Sequence, residues 1–306
     1  MKTLLNFLAA ALLSGTPLLF GTLGELVSER AGHLNLGVEG MMWVGALAGF
    51  YAAIVSGSVA LSLLAAFGAA ALCAALYAFL TVSVRANQNV AGLTLTAFGI
   101  GISMVLGNRM TAALGTAPQL SPEMKARLAS MNILGFSLNP LTCFAVALCV
   151  AAWLFYAKTR AGLHVRSVGE NPDAADAAGI HVSLLKYCSI VLGGGLCGVG
   201  GAFMSLVTAN GSWQPGGIVN GFGWIAVALV IFVRWHPGLA VLGAFVFGAF
   251  RSMAWYIPDS VISVPQAVYQ MLPFVLTLVV LLITGMRGGR SAQPAALGTN
   301  YFREER

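Results

Sequence analysis

The sequence VALSLLAAFGAAALCAALYAFLTVSV, residues 59–84, contains no Asp, Glu, Lys or Arg. A helix needs about 20 apolar residues to cross the hydrocarbon of a bilayer, and this run is longer than that. The whole chain has a similar character, since 58% of its 306 residues are hydrophobic, 8% are charged and the mean hydropathy is +0.85. These values lie far from those of a soluble domain. The sequence therefore predicts a membrane protein.

Eight further segments are free or nearly free of charge. They are residues 4–23, 37–55, 90–107, 138–157, 187–208, 222–233, 239–257 and 266–285. The first is interpreted as a span and not as a secretory signal, because no Ala-x-Ala-like cleavage site follows it. Segment 222–233 is too short to cross ~30 Å alone, so it is either extended by residues 215–221 or is a half-helix. We expect an all-α, polytopic transmembrane helical bundle of about 8–10 spans, with one or more broken or re-entrant helices.

Positive charges indicate the orientation. Eight of the 16 Lys and Arg residues lie in loop 158–186 and tail 287–306, which the positive-inside rule places in the cytoplasm. The chain is then a single transmembrane domain, residues 1–286, followed by a cytoplasmic tail. The expected external segments are 108–140, 210–221 and 257–265. Nine crossings would leave the termini on opposite sides, and a re-entrant element near residues 25–39 or a short helix within 108–140 would restore an even count.

The sequence VGENPDAADAAGI, residues 168–180, concentrates charge in an otherwise apolar chain. Asn171 suits a helix N-cap, Pro172 the first helical position and Gly179 a stop. These signals predict a helix of about seven residues, ~10 Å long, whose surface is mainly alanine methyl groups and two carboxylates. Two interpretations stay open: a solvated connector between spans, or a docking helix through which a cytoplasmic partner moves the membrane domain.

Four blocks of sequence resemble one family. AGLHVRSVGENPDAADAAGIHVSLLKYCSIVLGGGLCGVGGAFMSL, residues 161–206, is similar to the cytoplasmic coupling loop and following helix of ABC importer permeases of the branched-chain amino acid, ribose and nucleoside group. The supporting blocks are GELVSERAGHLNLGVEGMMWVGALAGF (24–50), ANQNVAGLTLT (86–96) and GFGWIAVALVIFVRWHPGLAVLGAFVFG (221–248). The resemblance is closest to the shorter permease of nucleoside and simple-sugar uptake systems.

This resemblance implies a permease that moves a nucleoside or simple sugar into the cytoplasm by alternating access, in a bacterial inner membrane. The implied partners are an ABC ATPase subunit that binds ATP and Mg, a second paralogous permease, an extracytoplasmic substrate-binding lipoprotein or periplasmic protein, and membrane lipids. The residues that would couple the permease to the ATPase are Glu170, Asn171, Pro172, Asp173, Ala174, Ala175 and Asp176.

Polar residues within apolar segments mark a candidate substrate pathway, because burying them in lipid is costly. The densest group is Glu25, Glu29, Arg30, His33, Asn35 and Glu39. It is either a cytoplasmic loop or a broken helix at residues 32–40, and the resemblance favours the broken helix. We expect Asn35 to contact a neutral polar substrate, and Glu39, partnered by Arg30, to hold the break in place. Further candidates, for which a helix cap or an interfacial anchor is the alternative role, are Asn87, Gln88, Thr94, Trp213 and Gln214.

Several function classes are disfavoured. The sequence has no GxxxxGK[ST] motif, so we expect ATP hydrolysis in another subunit and no catalytic, cofactor or metal site in this chain. The glycine-rich run GGGLCGVGG, residues 193–201, lies within an apolar span and predicts close helix packing and not a dinucleotide site. The net charge of +6 follows the topology and does not indicate nucleic-acid binding. The alternative function is an ion-coupled secondary transporter, for which we find no convincing inverted repeat.

Overall fold

The computed structural model describes residues 2–114, 118–133, 136–214, 216–256, 266–286 and 292–302. Within them the chain forms helices and one short hairpin. The elements are α1 (Lys2–Arg30), α2 (Val38–Ser56), α3 (Val59–Ala78, continued by a π-helical turn Phe79–Ser83), α4 (Gln88–Leu114), α5 (Pro122–Leu128), β1 (Met131–Ile133), β2 (Phe136–Leu138), α6 (Pro140–Lys158), α7 (Arg160–Glu170), α8 (Pro172–Ala177), α9 (Val182–Phe203, continued by a π-helical turn Met204–Thr208), α10 (Phe222–Phe232), α11 (Pro237–Tyr256) and α12 (Gln266–Met286).

Each of the nine predicted apolar segments corresponds to a helix, namely α1 to α4, α6 and α9 to α12. Among the described residues, 6 helices are long and apolar enough to cross a membrane by length and composition alone. Helix α10 has 11 residues, about 16 Å, and the described residues just before it form turns, so the half-helix alternative is the correct one. The prediction of an all-α membrane bundle with a broken helix is confirmed.

Helix α9 packs against α1, α2 and α3, and its glycines allow the close approach. A Cβ on Gly198 would lie 2.6 Å from the Ala66 carbonyl oxygen, and a Cβ on Gly201 would overlap the Met42 carbonyl group. On α2, Gly45 faces Gly198 across the same interface. The glycine-rich run is therefore a helix-packing segment, as its sequence predicts.

The two ends of the bundle carry different connections. At one end, which we call the tail end, Asn300 donates to the Arg85 carbonyl oxygen at 2.7 Å and the Ala296 amide donates to the Gly169 carbonyl oxygen at 2.9 Å. The turns around residues 31–37 meet the same end, since a Cβ on Gly32 would lie 3.2 Å from the Gly169 Cα. The tail, the loop between α6 and α9 and the α3–α4 connection therefore share one face of the bundle.

At the opposite end, which we call the hairpin end, the segment containing α5 and the β1–β2 hairpin meets the residues after α9. The Leu120 amide donates to the Gly211 carbonyl oxygen at 2.9 Å, and Gln119 forms an isolated bridge with Ser212. Helix α5 has 7 residues and is too short to cross the bundle.

The first helix runs from the hairpin end to the tail end. Thr16, halfway along α1, lies 2.7 Å from Thr142 in the first turn of α6, whereas Gly32 follows α1 at the tail end. Neither the break after α1 nor α5 adds a crossing. The start of α1 and the described tail therefore lie at opposite ends of the bundle.

Candidate functional site

The chain leaves helical geometry between α1 and α2, at residues 31–37, inside the stretch predicted to be broken. Side chains from other elements satisfy the freed backbone groups. Gln88 Oε1 accepts from the Leu34 amide at 3.0 Å, and the Tyr77 hydroxyl donates to the Leu34 carbonyl oxygen at 2.5 Å. Glu25 Oε1 accepts from the Asn35 amide at 2.9 Å. Irregular backbone is tolerated in a membrane bundle when protein groups satisfy it in this way.

Glu39, in the first turn of α2, caps the half-helix α10. Its Oε1 accepts from the Gly221 amide at 2.8 Å and its Oε2 from the Gly223 amide at 2.7 Å. A carboxylate is favourable at a helix N-terminus, where backbone amides are otherwise unpaired. Because α10 is about 16 Å long and ends at the tail end, this contact lies about 16 Å from that end of the bundle. The two discontinuous elements of the fold therefore meet at Glu39.

The partner expected for Glu39 is not the one observed. Arg30 donates from Nε and Nη2 to the Trp235 carbonyl oxygen, at 2.9 and 2.5 Å, and the Trp235 indole donates to Glu29. These bonds fix the α10–α11 turn against the end of α1. The pairing of Glu39 with Arg30 is therefore wrong, because Arg30 precedes the break and bonds to the α10–α11 turn, whereas Glu39 follows the break and bonds to the start of α10.

His33 is a buried structural residue of the break. Its Nε2 lies 2.8 Å from Thr81 Oγ1, and the Thr81 hydroxyl donates to the Tyr77 carbonyl oxygen at 2.7 Å, so the histidine ring is the donor to Thr81. Burial, with a smaller contribution from the Lys186 charge, lowers the pKa of His33 to about 3. The ring is therefore neutral near pH 7. Within the described ranges, no three His, Cys, Asp or Glu side chains come together in a way that could hold a metal ion.

Contrary to expectation, Asn35 does not face a cavity but lies within the protein interior. Its side chain is fully buried, its Oδ1 accepts from the Gly37 amide at 3.0 Å, and its Nδ2 lies 3.6 Å from Met41 Sδ. The physical reason is that a chain leaving a helix must find partners for its own amides, and a short polar side chain provides one locally. A contact between Asn35 and substrate stays a prediction for another conformation.

The candidates at the start of α4 divide into capping and bridging residues. Asn87 Oδ1 accepts from the Val90 amide at 3.1 Å, which is the helix-cap role, and Thr94 donates to the Val90 carbonyl oxygen at 2.8 Å. Gln88 is buried and bonds to Leu34 of the break. Asn87 and Thr94 also line a largely apolar groove of about 440 Å³ between α3 and α4. The structure thus brings these two candidates together, but not with Asn35.

Trp213 lies at the hairpin end, away from the other candidates. Its side chain is 2% exposed, its ring centroid lies 5.7 Å from that of Phe50, and a Cβ on Gly107 would lie 2.7 Å from its Nε1. Gln214 beside it is exposed. Trp213 therefore packs α2, α4 and the segment after α9 together. In this conformation it is neither an interfacial anchor in lipid nor a stacking surface open to solvent.

The predicted docking helix is present as α8. Asn171 Oδ1 accepts from the Ala174 amide at 2.9 Å, Pro172 occupies the first turn, and Gly179 has φ +82° where the helix stops. Ala175 is buried against α7 and α9, whereas Asp173 and Ala174 are exposed. The capped helix is confirmed. Its docking role stays a prediction.

Asp176 does not lie on the free face of α8 with Asp173. Its Oδ2 accepts from the Tyr301 hydroxyl at 2.8 Å, and Glu170 Oε2 lies 3.4 Å from the Ala295 amide. Both carboxylates thus face the tail. The face of α8 open to a partner is narrower than expected and consists of Asp173, Ala174, Ala177 and Ala178, all exposed.

Three features escaped the sequence analysis. Helix α7, N-capped by Thr159, continues the loop from α6 to α8; its buried Val165 and Val168 were a helical signal that could have been used. The tail contacts could not be foreseen, because they join residues far apart in sequence. Arg251 lies in α11 with its guanidinium 4.3 Å from the Phe222 ring centroid, next to the start of α10. A charged residue in an apolar helix was the available signal for it.

Comparison with known proteins identifies the family of this chain. A family model described as branched-chain amino acid transport system / permease component matches residues 7–281. The chain belongs to this permease family. It is therefore a multi-pass membrane protein and a transport component, not an enzyme, and it acts with an ATPase partner.

Three relatives are ABC transporter permeases. TsgC13 of Haloferax volcanii, which carries the provisional name of a glucose ABC transporter permease, is 40% identical over 79% of this chain and 75% of its own length. The nucleoside permease NupC of Lactococcus lactis is 34% identical over 100% and 99%, and the guanosine permease NupQ of Bacillus subtilis is 32% identical over 97% and 96%. A second permease from each of these organisms also matches, at 28%, 33% and 27% identity, respectively.

A solved structure supports the fold. It is an inward-facing conformation of a metal-chelate-type ABC transporter, 18% identical, with a TM-score of 0.52 over 90% of the permease and 85% of that chain. At this identity the likeness concerns the helical architecture and not the substrate.

Proposed function

We propose that the permease imports a nucleoside, with a simple sugar as the second candidate. The observation that carries the proposal is the similarity to NupC over 100% of the permease and 99% of that nucleoside permease. The sugar alternative is favoured by the higher identity of 40% to TsgC13.

The ATPase partner docks on the exposed face of α8 and supplies the ATP and Mg site, so this chain needs no cofactor of its own. The support is geometric: α8 is a short capped helix at the tail end, its face is small and acidic, and it lies on the loop that the family resemblance assigns to coupling. Closure of the ATPase would displace α8, and the permease would respond by alternating access.

The functional assembly contains a second, paralogous permease and an external substrate-binding protein, in a bacterial inner membrane. Each of three organisms has two permeases that resemble this chain, which supports a pair of different permeases. The tail end is then cytoplasmic, in accord with the positive charge of loop 158–186. Residues 1–286 form the membrane domain and 287–306 the cytoplasmic tail.

Uptake by the reconstituted transporter tests the proposal. The complex, including its binding protein, is placed in vesicles with internal ATP, and accumulation of labelled guanosine, uridine and glucose is measured. We expect ATP-dependent nucleoside accumulation. Glucose accumulation without nucleoside uptake would select the second candidate, and accumulation driven by an ion gradient without ATP would contradict both.

A further inference from the structure

The described tail residues 292–302, here called the strap, are attached to the corner between α7 and α8. The Ala296 amide donates to the Gly169 carbonyl oxygen at 2.9 Å, at the end of α7. The Tyr301 hydroxyl donates to Asp176 Oδ2 at 2.8 Å, on α8 itself. The strap is therefore fixed to the helix on which we place the ATPase.

The other side of the strap is attached to the start of α4. Asn300 Nδ2 donates to the Arg85 carbonyl oxygen at 2.7 Å, and its Oδ1 accepts from Gln88 Nε2 at 3.1 Å. The Phe302 ring lies under the Arg85 guanidinium, 4.8 Å from centroid to Cζ. Gln88, which is 3% exposed, uses its remaining amide atom, Oε1, to accept from Leu34 of the break at 3.0 Å. The Gln88 side chain thus joins the strap to the break by hydrogen bonds, and Ala296 of the strap also lies against Gly32 of the break.

We propose that the strap is a coupling element, in which Tyr301 and Asn300 are positioning residues that transmit displacement of α8 to the break through Gln88. This inference rests on the proposed docking of the ATPase on α8. Direct packing of α8 on the bundle is slight, since Ala175 is its one buried residue. The first attachment of this corner to the break is the backbone packing of Gly169 on Gly32, where a Cβ on Gly32 would lie 3.2 Å from the Gly169 Cα. The hydrogen bonds from Asp176 through the strap to Leu34 give it a second attachment, at the point where the membrane helices are discontinuous.

The test measures the accessibility of the break directly. The permease carries Leu34→Cys, at a half-buried position whose backbone bonds are kept, and the half-buried Cys73 and the exposed Cys143 and Cys188 are replaced by Ala. The complex with its ATPase is placed in lipid nanodiscs. The rate of labelling by a polar maleimide is compared between the nucleotide-free state and the state trapped with Mg-ATP and vanadate. We expect the two rates to differ by about fivefold or more when the strap is intact.

Two strap variants should remove that difference. Tyr301→Phe loses the hydroxyl that reaches Asp176 and keeps the ring, and Asn300→Leu loses the bonds to Arg85 and Gln88. In both, the ratio of rates should fall towards one while the ATPase stays bound. The matched control is Ser167→Ala, whose hydroxyl donates to the Leu163 carbonyl oxygen within α7, and it should keep the full ratio.

The outcomes distinguish failure of the strap proposal from failure of the proposed ATPase docking on α8. Strap variants with an unchanged ratio overturn the coupling role of the strap, and so does an intact strap that shows no nucleotide-dependent difference. Asp173→Lys, on the exposed face of α8, tests docking by itself: loss of the bound ATPase supports docking there, and full retention overturns docking together with the strap proposal. Tyr301→Phe changes one hydroxyl and decides the question alone if Asn300→Leu does not assemble.

Discussion

Replacement of Glu39 by Leu should destabilise the permease more than any exposed substitution. The carboxylate is 4% exposed and accepts two backbone hydrogen bonds, at 2.8 and 2.7 Å, from the first amides of α10. Leu fills a similar volume but leaves both amides unpaired. A charge-assisted hydrogen bond contributes about 1.5–3 kcal/mol in soluble proteins, whereas bonds measured between membrane helices average about 0.6 kcal/mol. We therefore expect a loss of about 2–4 kcal/mol for the two bonds together.

The assay is an unfolding titration of the purified permease in mixed micelles, followed by tryptophan fluorescence. Glu39→Gln keeps one acceptor oxygen and should show about half the loss. Glu123→Leu, which removes an exposed carboxylate from the first turn of α5 at the hairpin end, serves as the matched control and should cost at most about 1 kcal/mol. A Glu39→Leu midpoint equal to that of the wild type would refute the capping role and the meeting of the two discontinuous elements.

Three further changes can be measured by the same titration. Gly201→Ala should destabilise by about 1–3 kcal/mol or prevent assembly, because its Cβ overlaps a neighbouring carbonyl, whereas Gly68→Ala, with open space around it, should be neutral; equal effects would refute the packing role of α9. The free energy of unfolding should fall as the pH drops below about 6.5, by at most about 1.4 kcal/mol per pH unit, because His33 takes up a proton in the unfolded chain but not in the folded one, where its pKa is about 3. His33→Gln should lose this contribution to the pH dependence of stability. The same pH dependence in the wild type and in His33→Gln would contradict the prediction. Arg251→Met should cost about 0.5–2 kcal/mol through the lost contact with Phe222, and a neutral Arg251→Met would contradict that contact.

Local rules were sufficient for the elements whose causes are local. The apolar runs predicted the positions of the nine apolar helices, and Asn171, Pro172 and Gly179 predicted the bounds of α8 closely, because caps act on neighbouring backbone. The twelve-residue run at 222–233 is too short for a full span, which left a half-helix as one of two alternatives, and the structure shows the half-helix.

Contacts between residues far apart in the chain could not be predicted from the sequence. Glu39 caps α10 by accepting hydrogen bonds from amides that lie 182 and 184 positions away in the sequence. No local pattern distinguishes these amides from Arg30 as partners of Glu39. The sequence predicts Asp176 on the free surface of α8, because helix periodicity does not reveal that the tail packs against this residue. The polarity of Asn35 predicts a substrate contact, whereas in the structure its Oδ1 accepts a hydrogen bond from the Gly37 amide within the break.

The exposed face of α8 as the ATPase docking surface is the central claim, and site-specific photo-crosslinking tests it most directly. A photoreactive amino acid is introduced at Ala174 on α8, and in a separate variant at Gln214, which is equally exposed but lies at the hairpin end. The intact transporter is irradiated and the captured protein is identified by mass spectrometry. Capture of a Walker-motif ATPase from Ala174 and not from Gln214 is the result we expect. An intact complex in which Ala174 captures no ATPase, or in which Gln214 does, would contradict the account.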